Sequence, residues 1–141
     1  MKDRVYVDAD VILDLLAERE PHFHFAALLF SMADKAEIEA YVSPLIFSNL
    51  FYILRRLKSA AEARTILNKL NLIVTILPVN GRIIQMALAS DFSDFEDAIQ
   101  YYTATENAIP YLITRNKRHY QKSAIPVYTA EEFLTSRKSN E

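Results

Sequence analysis

Short β-favouring runs alternate with longer stretches of helical spacing along the whole chain, and nothing else in the sequence restricts the fold as much. Val5-Tyr6-Val7, Ile38 to Val42, Leu72 to Leu77, Pro110 to Thr114 and Ile125 to Tyr128 read as strands, apolar and rich in β-branched or aromatic residues. The segments between them carry apolar residues three and four apart. Val11, Ile12, Leu15 and Leu16, or Ile83, Ile84, Ala87 and Leu88, have the spacing of one helix face. Such alternation implies an α/β fold, a three-layer sandwich with a central, mostly parallel sheet.

Several helix starts are marked. Ser43-Pro44 places a capping hydroxyl before a proline at the first helical position, and the helix continues through Leu57. Ser93-Asp94-Phe95-Glu96 has the form of a capping box. In that register Ser93 is the N-cap, Asp94 the first helical residue and Glu96 the third, and the helix runs to about Asn107. Asn80 and Thr129 open two further helices. Glu20-Pro21 separates the first helix from a second over His22 to Lys35. The chain of 141 residues suits one domain, bounded here at 1–135 and followed by a polar tail over 136–141.

Composition removes several kinds of chemistry. Cys is absent, which excludes disulfides, thiolate–zinc and iron–sulfur sites and a Cys nucleophile. Gly81 is the sole glycine, so neither a P-loop nor a dinucleotide fingerprint is available. The formal charge is −2, from 16 basic and 18 acidic residues. That balance argues against a strongly basic nucleic-acid scaffold and leaves room for a local basic groove. The opening MKDRVYVDAD has charges where a secretory signal has its apolar core, and the longest apolar stretch, Phe23 to Ala33, is too short for a membrane span. The expectation is a cytoplasmic protein without membrane association.

In a parallel α/β sheet the cleft lies outside the carboxyl ends of the strands, where the strand order reverses. The residues to weigh are therefore Asp8, Asp10, Ser43, Thr114 and Asn116, each just past a strand. Asp8 closes an apolar strand, where a charge is costly unless it caps a helix, faces a cleft or meets a partner. Asp10 complements the dipole of the next helix, and Asp14 reads equally well as solvated. Asp94 and Asp97 share a helix face and repel unless something cationic lies between them. Mg2+ or Mn2+ fits, since hard cations take carboxylate oxygens, and Asp8 reaches the same ion if this helix abuts the end of the first strand.

At these residues the chain resembles a family. Val5-Tyr6-Val7-Asp8-Ala9-Asp10-Val11-Ile12-Leu13-Asp14 resembles the opening strand and helix of PIN domains, especially VapC-like ribonuclease toxins. Asp94-Phe95-Glu96-Asp97-Ala98-Ile99-Gln100 resembles their later acidic motif, and Ile113-Thr114-Arg115-Asn116-Lys117 their strand-end motif. The matches stand in the family's order and span nearly the whole chain. The resemblance implies a metal-dependent endoribonuclease, the toxin of a toxin–antitoxin pair, with RNA as substrate and an antitoxin protein as partner. It puts Asp8 and Asp97 on the family's first and third core acids, as metal ligands, with Asp94 as a ligand or close neighbour. Thr114 and Asn116 would place water or a phosphate oxygen.

Asn49, at the end of Ser43-Pro44-Leu45-Ile46-Phe47-Ser48-Asn49, stands in the slot of the family's second acid, and Asn116 in that of the fourth. An amide carbonyl orients water but contributes no charge, so Mg2+ should be held more weakly than in an all-acid site. A PIN domain of impaired catalysis that acts as an RNA-binding module is the alternative reading. Arg115, Lys117 and Arg118, with His119 and Lys122, read either as a solvated helix end or as phosphate contacts beside the acids. The run Phe47, Leu50, Phe51, Tyr52, Ile53, Leu54 is apolar round most of its helix and asks for cover on several sides, one of them a homodimer interface or an antitoxin groove. Asp8-Ala9-Asp10-Val11 also resembles the nucleophile motif of haloacid-dehalogenase-like phosphatases. That family's final acidic pair follows a strand, whereas the last acidic motif here opens a helix.

Overall fold

The computed structural model describes residues 2–139. In chain order the elements are β1 (Asp3–Val7), α1 (Ala9–Leu16), α2 (Phe23–Asp34), β2 (Ile38–Val42), α3 (Pro44–Leu57), α4 (Ala60–Asn71), β3 (Val74–Ile76), α5 (Gly81–Leu88), α6 (Phe95–Glu106), β4 (Tyr111–Ile113), β5 (Val127–Tyr128) and α7 (Ala130–Ser139). A one-turn 3₁₀ helix, Lys117–Tyr120, lies between β4 and β5. The strands form one sheet in the order β3-β2-β1-β4-β5, and every neighbouring pair is parallel. The fold class is the expected α/β, with a sheet that is parallel throughout.

Central placement explains the composition of β1. Val5, Tyr6 and Val7 are all 0% exposed, as a strand covered on both faces requires. From β1 the chain moves outward to β2 and β3, then returns across the sheet to β4 on the other side of β1. The order therefore reverses between β1 and β4, and the carboxyl ends of those two strands carry Asp8 and Thr114.

Three strands are shorter than the runs that mark them, β4 by one residue at each end. Leu72 falls at the C-cap of α4 and is exposed, so β3 begins only at Val74. A Ser123 turn, closed by hydrogen bonds to Ile125, delays β5 to Val127. α7 continues through Ser139, so residues 136–139 of the expected tail are helical, and Arg137 pairs with Asp3. Asn140 and Glu141 lie outside the described residues. No helix of the described residues is long and apolar enough to cross a membrane.

The main core packs Ile12, Leu29, Ile46, Leu50 and Leu54 onto β1 and β4, and a smaller cluster of Ile83, Ala87, Ala98 and Ile99 joins α5 to α6. One buried polar node runs through this interior. The hydroxyls of Tyr6 and Ser43 both donate to Gln100 Oε1, the second at 3.1 Å. Burial lifts the Tyr6 phenol well above its ordinary value and keeps it a donor. The node ties α6 to β1 and to the start of α3. Asp97 lies three residues before Gln100 on the same helix face, so the node also fixes where Asp97 sits.

Candidate active site

Asp8 follows β1 directly and caps α1, its Oδ1 accepting the Ala9 N–H at 2.7 Å. Its Oδ2 accepts from two hydroxyls, Thr114 at 3.0 Å and Tyr120 at 3.1 Å. The Tyr120 hydroxyl also reaches Asp97 Oδ1 at 3.2 Å, and the Thr114 hydroxyl also reaches Asp10 Oδ2 at 3.2 Å. Three carboxylates and two hydroxyls thus form a chain, Asp10–Thr114–Asp8–Tyr120–Asp97. Each hydroxyl has one hydrogen and faces two carboxylates, so the chain lacks positive charge or protons.

The acid constants register that shortage. Burial, then the charge of Asp8, lifts Asp10 to about 6. Burial, then the charges of Asp8 and Asp94, lifts Asp97 to about 6. Burial also raises Asp8, against the hydrogen bonds from Thr114, Ala9 and Tyr120. Tyr120 is held far above an ordinary phenol by burial and by the two carboxylates it touches.

Asp94 is the N-cap of α6, accepting the Asp97 N–H at 2.9 Å. The cap therefore sits one residue later than the Ser93 capping box predicts. Asp94 and Asp97 form the capping pair, and Glu96 is released from it. Glu96 instead accepts from Asn49 Nδ2 at 3.4 Å, so Asn49 stands against α6 rather than against Asp8. Asn116 donates its amide to Asp10 Oδ2 at 2.9 Å and its backbone N–H to Thr114 Oγ1 at 3.1 Å. It braces the chain of acids from the Asp10 end.

The basic residues divide. Arg115 Nε pairs with Asp14 Oδ2 at 2.6 Å, and Asp14 is buried, not solvated as its sequence position allows. That pair lines a cavity of about 400 Å³ shared by α1, α2 and α7. Lys117 pairs with Glu132 at 3.0 Å. Arg118 and Lys122 are exposed and make no ion pair among the described residues. His119 Nδ1 lies 3.0 Å from Asp97 Oδ2. Tyr101 is buried against Phe92 and accepts the Ala124 N–H at 2.9 Å.

Tyr120, His119 and Gln100 are the contributors that the residue pattern did not single out for these roles. Gln100 lay within a recognisable motif. Tyr120 had no such mark, because a Tyr after a basic run is indistinguishable from a packing residue until its hydroxyl has been placed.

The donor set has the chemistry of a divalent-cation site. The oxygens are hard, two carboxylates approach one point, and burial has raised both above their ordinary range. Asp10 Oδ1 and Asp14 Oδ1 are buried with no hydrogen-bond partner among the described residues. No group of three or more His, Cys, Asp or Glu side chains is gathered for a metal ion among the described residues. One or two carboxylates, with water and substrate phosphate, are nevertheless the usual protein share of a Mg2+ shell. Asp8 and Asp97 fit the ion on those terms.

Known proteins share this architecture. The chain is 23% identical over 139 residues to Ribonuclease VapC1 of Aquifex aeolicus, covering 93% of each chain. A toxin–antitoxin complex from Klebsiella pneumoniae contains a chain 21% identical, with a TM-score of 0.66 over 89% of this chain and 97% of that one. FitAcB from Neisseria gonorrhoeae is 13% identical, with a TM-score of 0.69 over 90% of this chain and 98% of that one. The PIN domain profile matches residues 4–118, a span that runs from β1 through the acids of α6 to the strand-end hydroxyl of Thr114, and the chain belongs to the PIN domain family.

Proposed function

We propose that this protein is a divalent-metal-dependent endoribonuclease and the toxin of a toxin–antitoxin pair. One observation carries the reading: Asp8 and Asp97, from opposite parts of the chain, converge on a single hydroxyl at the point where the strand order reverses. The similarity to Ribonuclease VapC1 supports the reaction class, and the similarity to a chain of a toxin–antitoxin complex supports the partner.

Asp8 and Asp97 would hold Mg2+ or Mn2+, with Asp94 adding negative charge from the cap of α6. When bound, the ion supplies Lewis acidity, making a water acidic enough to attack and offsetting charge on the phosphate. Thr114 favours the ionised form of Asp8 against the effect of burial and fixes its orientation. Asn116 holds Thr114 and Asp10 in place. Arg118 and Lys122 are free to meet RNA phosphates, while Arg115 and Lys117 are already paired within the protein. No side chain is needed as a nucleophile. As an RNA-cutting toxin the protein would act in the cytoplasm.

The test is cleavage of a structured RNA by the purified protein in Mn2+. Asp8→Asn and Asp97→Asn should each lower the rate by about 100-fold or more with folding intact, the worth of one ligand to a catalytic ion. Chelation should abolish cleavage. Activity that survives either substitution or chelation overturns the reading. RNA bound without cleavage favours the impaired binding module, which the neutral side chains of Asn49 and Asn116 support. A phosphatase is not supported: the polar neighbours of Asp8 are hydroxyls and an amide N–H, with no lysine among them.

A further inference from the structure

The 3₁₀ helix Lys117–Tyr120 delivers two side chains to Asp97. Tyr120 takes Oδ1 at 3.2 Å and His119 takes Oδ2 at 3.0 Å. The same Tyr120 hydroxyl holds Asp8 Oδ2 at 3.1 Å, where Thr114 already fills the other lone pair. An ion that joins Asp8 to Asp97 through Asp8 Oδ2 therefore takes the direction that Tyr120 occupies. We propose that the Tyr120 hydroxyl stands in the cation's place in the metal-free protein, and that this segment is a strap which yields it when a divalent ion binds. The inference rests on the metal-site reading above and adds an occupant to it.

Exchange of one occupant for the other has a clear direction. A hydroxyl has one hydrogen and donates to one carboxylate at a time, whereas a divalent cation attracts both at once. The strap is anchored at its ends, by the pair of Lys117 with Glu132 and by buried Tyr120. Lys117, Arg118 and His119 are exposed, and Tyr120 is its only buried residue, packed edge-on to Phe92 at 6.2 Å.

The test is Mn2+ affinity, read by calorimetry and by the electron paramagnetic resonance of the free ion. Tyr120→Phe keeps the ring and removes the competitor, so it should bind Mn2+ about tenfold more tightly than the parent, the worth of one charge-assisted hydrogen bond. Asp97→Asn in the same background should lose that gain. The parent gives a second measurement should the variant fail to fold. Its tyrosine absorption band should shift to the blue as Mg2+ saturates the site, because a phenol is losing its carboxylate acceptors. Equal or weaker affinity in Tyr120→Phe, or a band that stays fixed at saturation, overturns the strap and leaves the metal site standing. A parent that binds no Mn2+ removes both.

Discussion

Two hydroxyl hydrogens serve three carboxylates at the carboxyl edge of the sheet, and that imbalance has a pH signature. Asp10 and Asp97 each titrate at about 6, against an ordinary value of 3.8. Both bind protons more tightly in the folded chain than in the unfolded one. Their stabilising contribution is complete below about pH 4 and is lost as pH rises through about 6. The metal-free protein should accordingly be more stable near pH 5 than near pH 7.5, by about 1–2 kcal/mol from these groups after solvent screening. Mg2+ should restore the difference at the higher pH. Urea unfolding at both pH values, with and without Mg2+, measures it, and metal-free stability that is flat or rises between them contradicts the assignment. The meeting of Asp8 with Thr114 was readable from strand-end position, since parallel sheets gather such residues at one edge. Asp97 was readable because a cap at Ser93 leaves it unexplained. Tyr120 was not readable, since its role depends on a distance.

Among the elements, α6 depends most on a contact outside itself. Its cap was read one residue early because Ser93 and Asp94 are both good N-caps, and local preference cannot choose between them. In the fold Asp94 is the cap, and Gln100 facing Tyr6 and Ser43 sets the rotation of α6. Gln100→Leu should leave two buried hydroxyls without an acceptor and destabilise the fold by about 1–3 kcal/mol. Because the same node positions Asp97, Mn2+ affinity should fall in the variant even where it remains folded. Chemical denaturation with Mn2+ calorimetry tests both effects, and stability equal to the parent's would refute the role of the node. The strands were legible wherever both faces are covered, as in β1. β3 and β5 were overestimated because an apolar run shows that a segment prefers burial, not how many of its residues find a partner.

For the whole molecule, the expectation that α3 is covered on several sides separates into two halves. Ile46, Leu50 and Leu54 are buried in the core, while Tyr52 is 60% and Leu57 59% exposed. A homodimer through α3 would cover these two apolar side chains. Tyr52→Glu with Leu57→Glu should shift the protein to a monomer in sedimentation without lowering its unfolding midpoint by more than about 1 kcal/mol, as expected of surface positions. A parent that sediments as a monomer at every concentration excludes that interface.

β4 closes the second edge of β1, yet it is among the last strands to be synthesised, and Tyr120 follows it. A nascent chain that stops short of these residues carries Asp8 and Asp97 on an unfinished sheet, with neither hydroxyl to bring them together. On the ribonuclease reading proposed above, the ribosome making the chain is exposed to no working copy until β4 has left the exit tunnel. The late position of one short strand thus makes competence an all-or-nothing event in the life of each molecule.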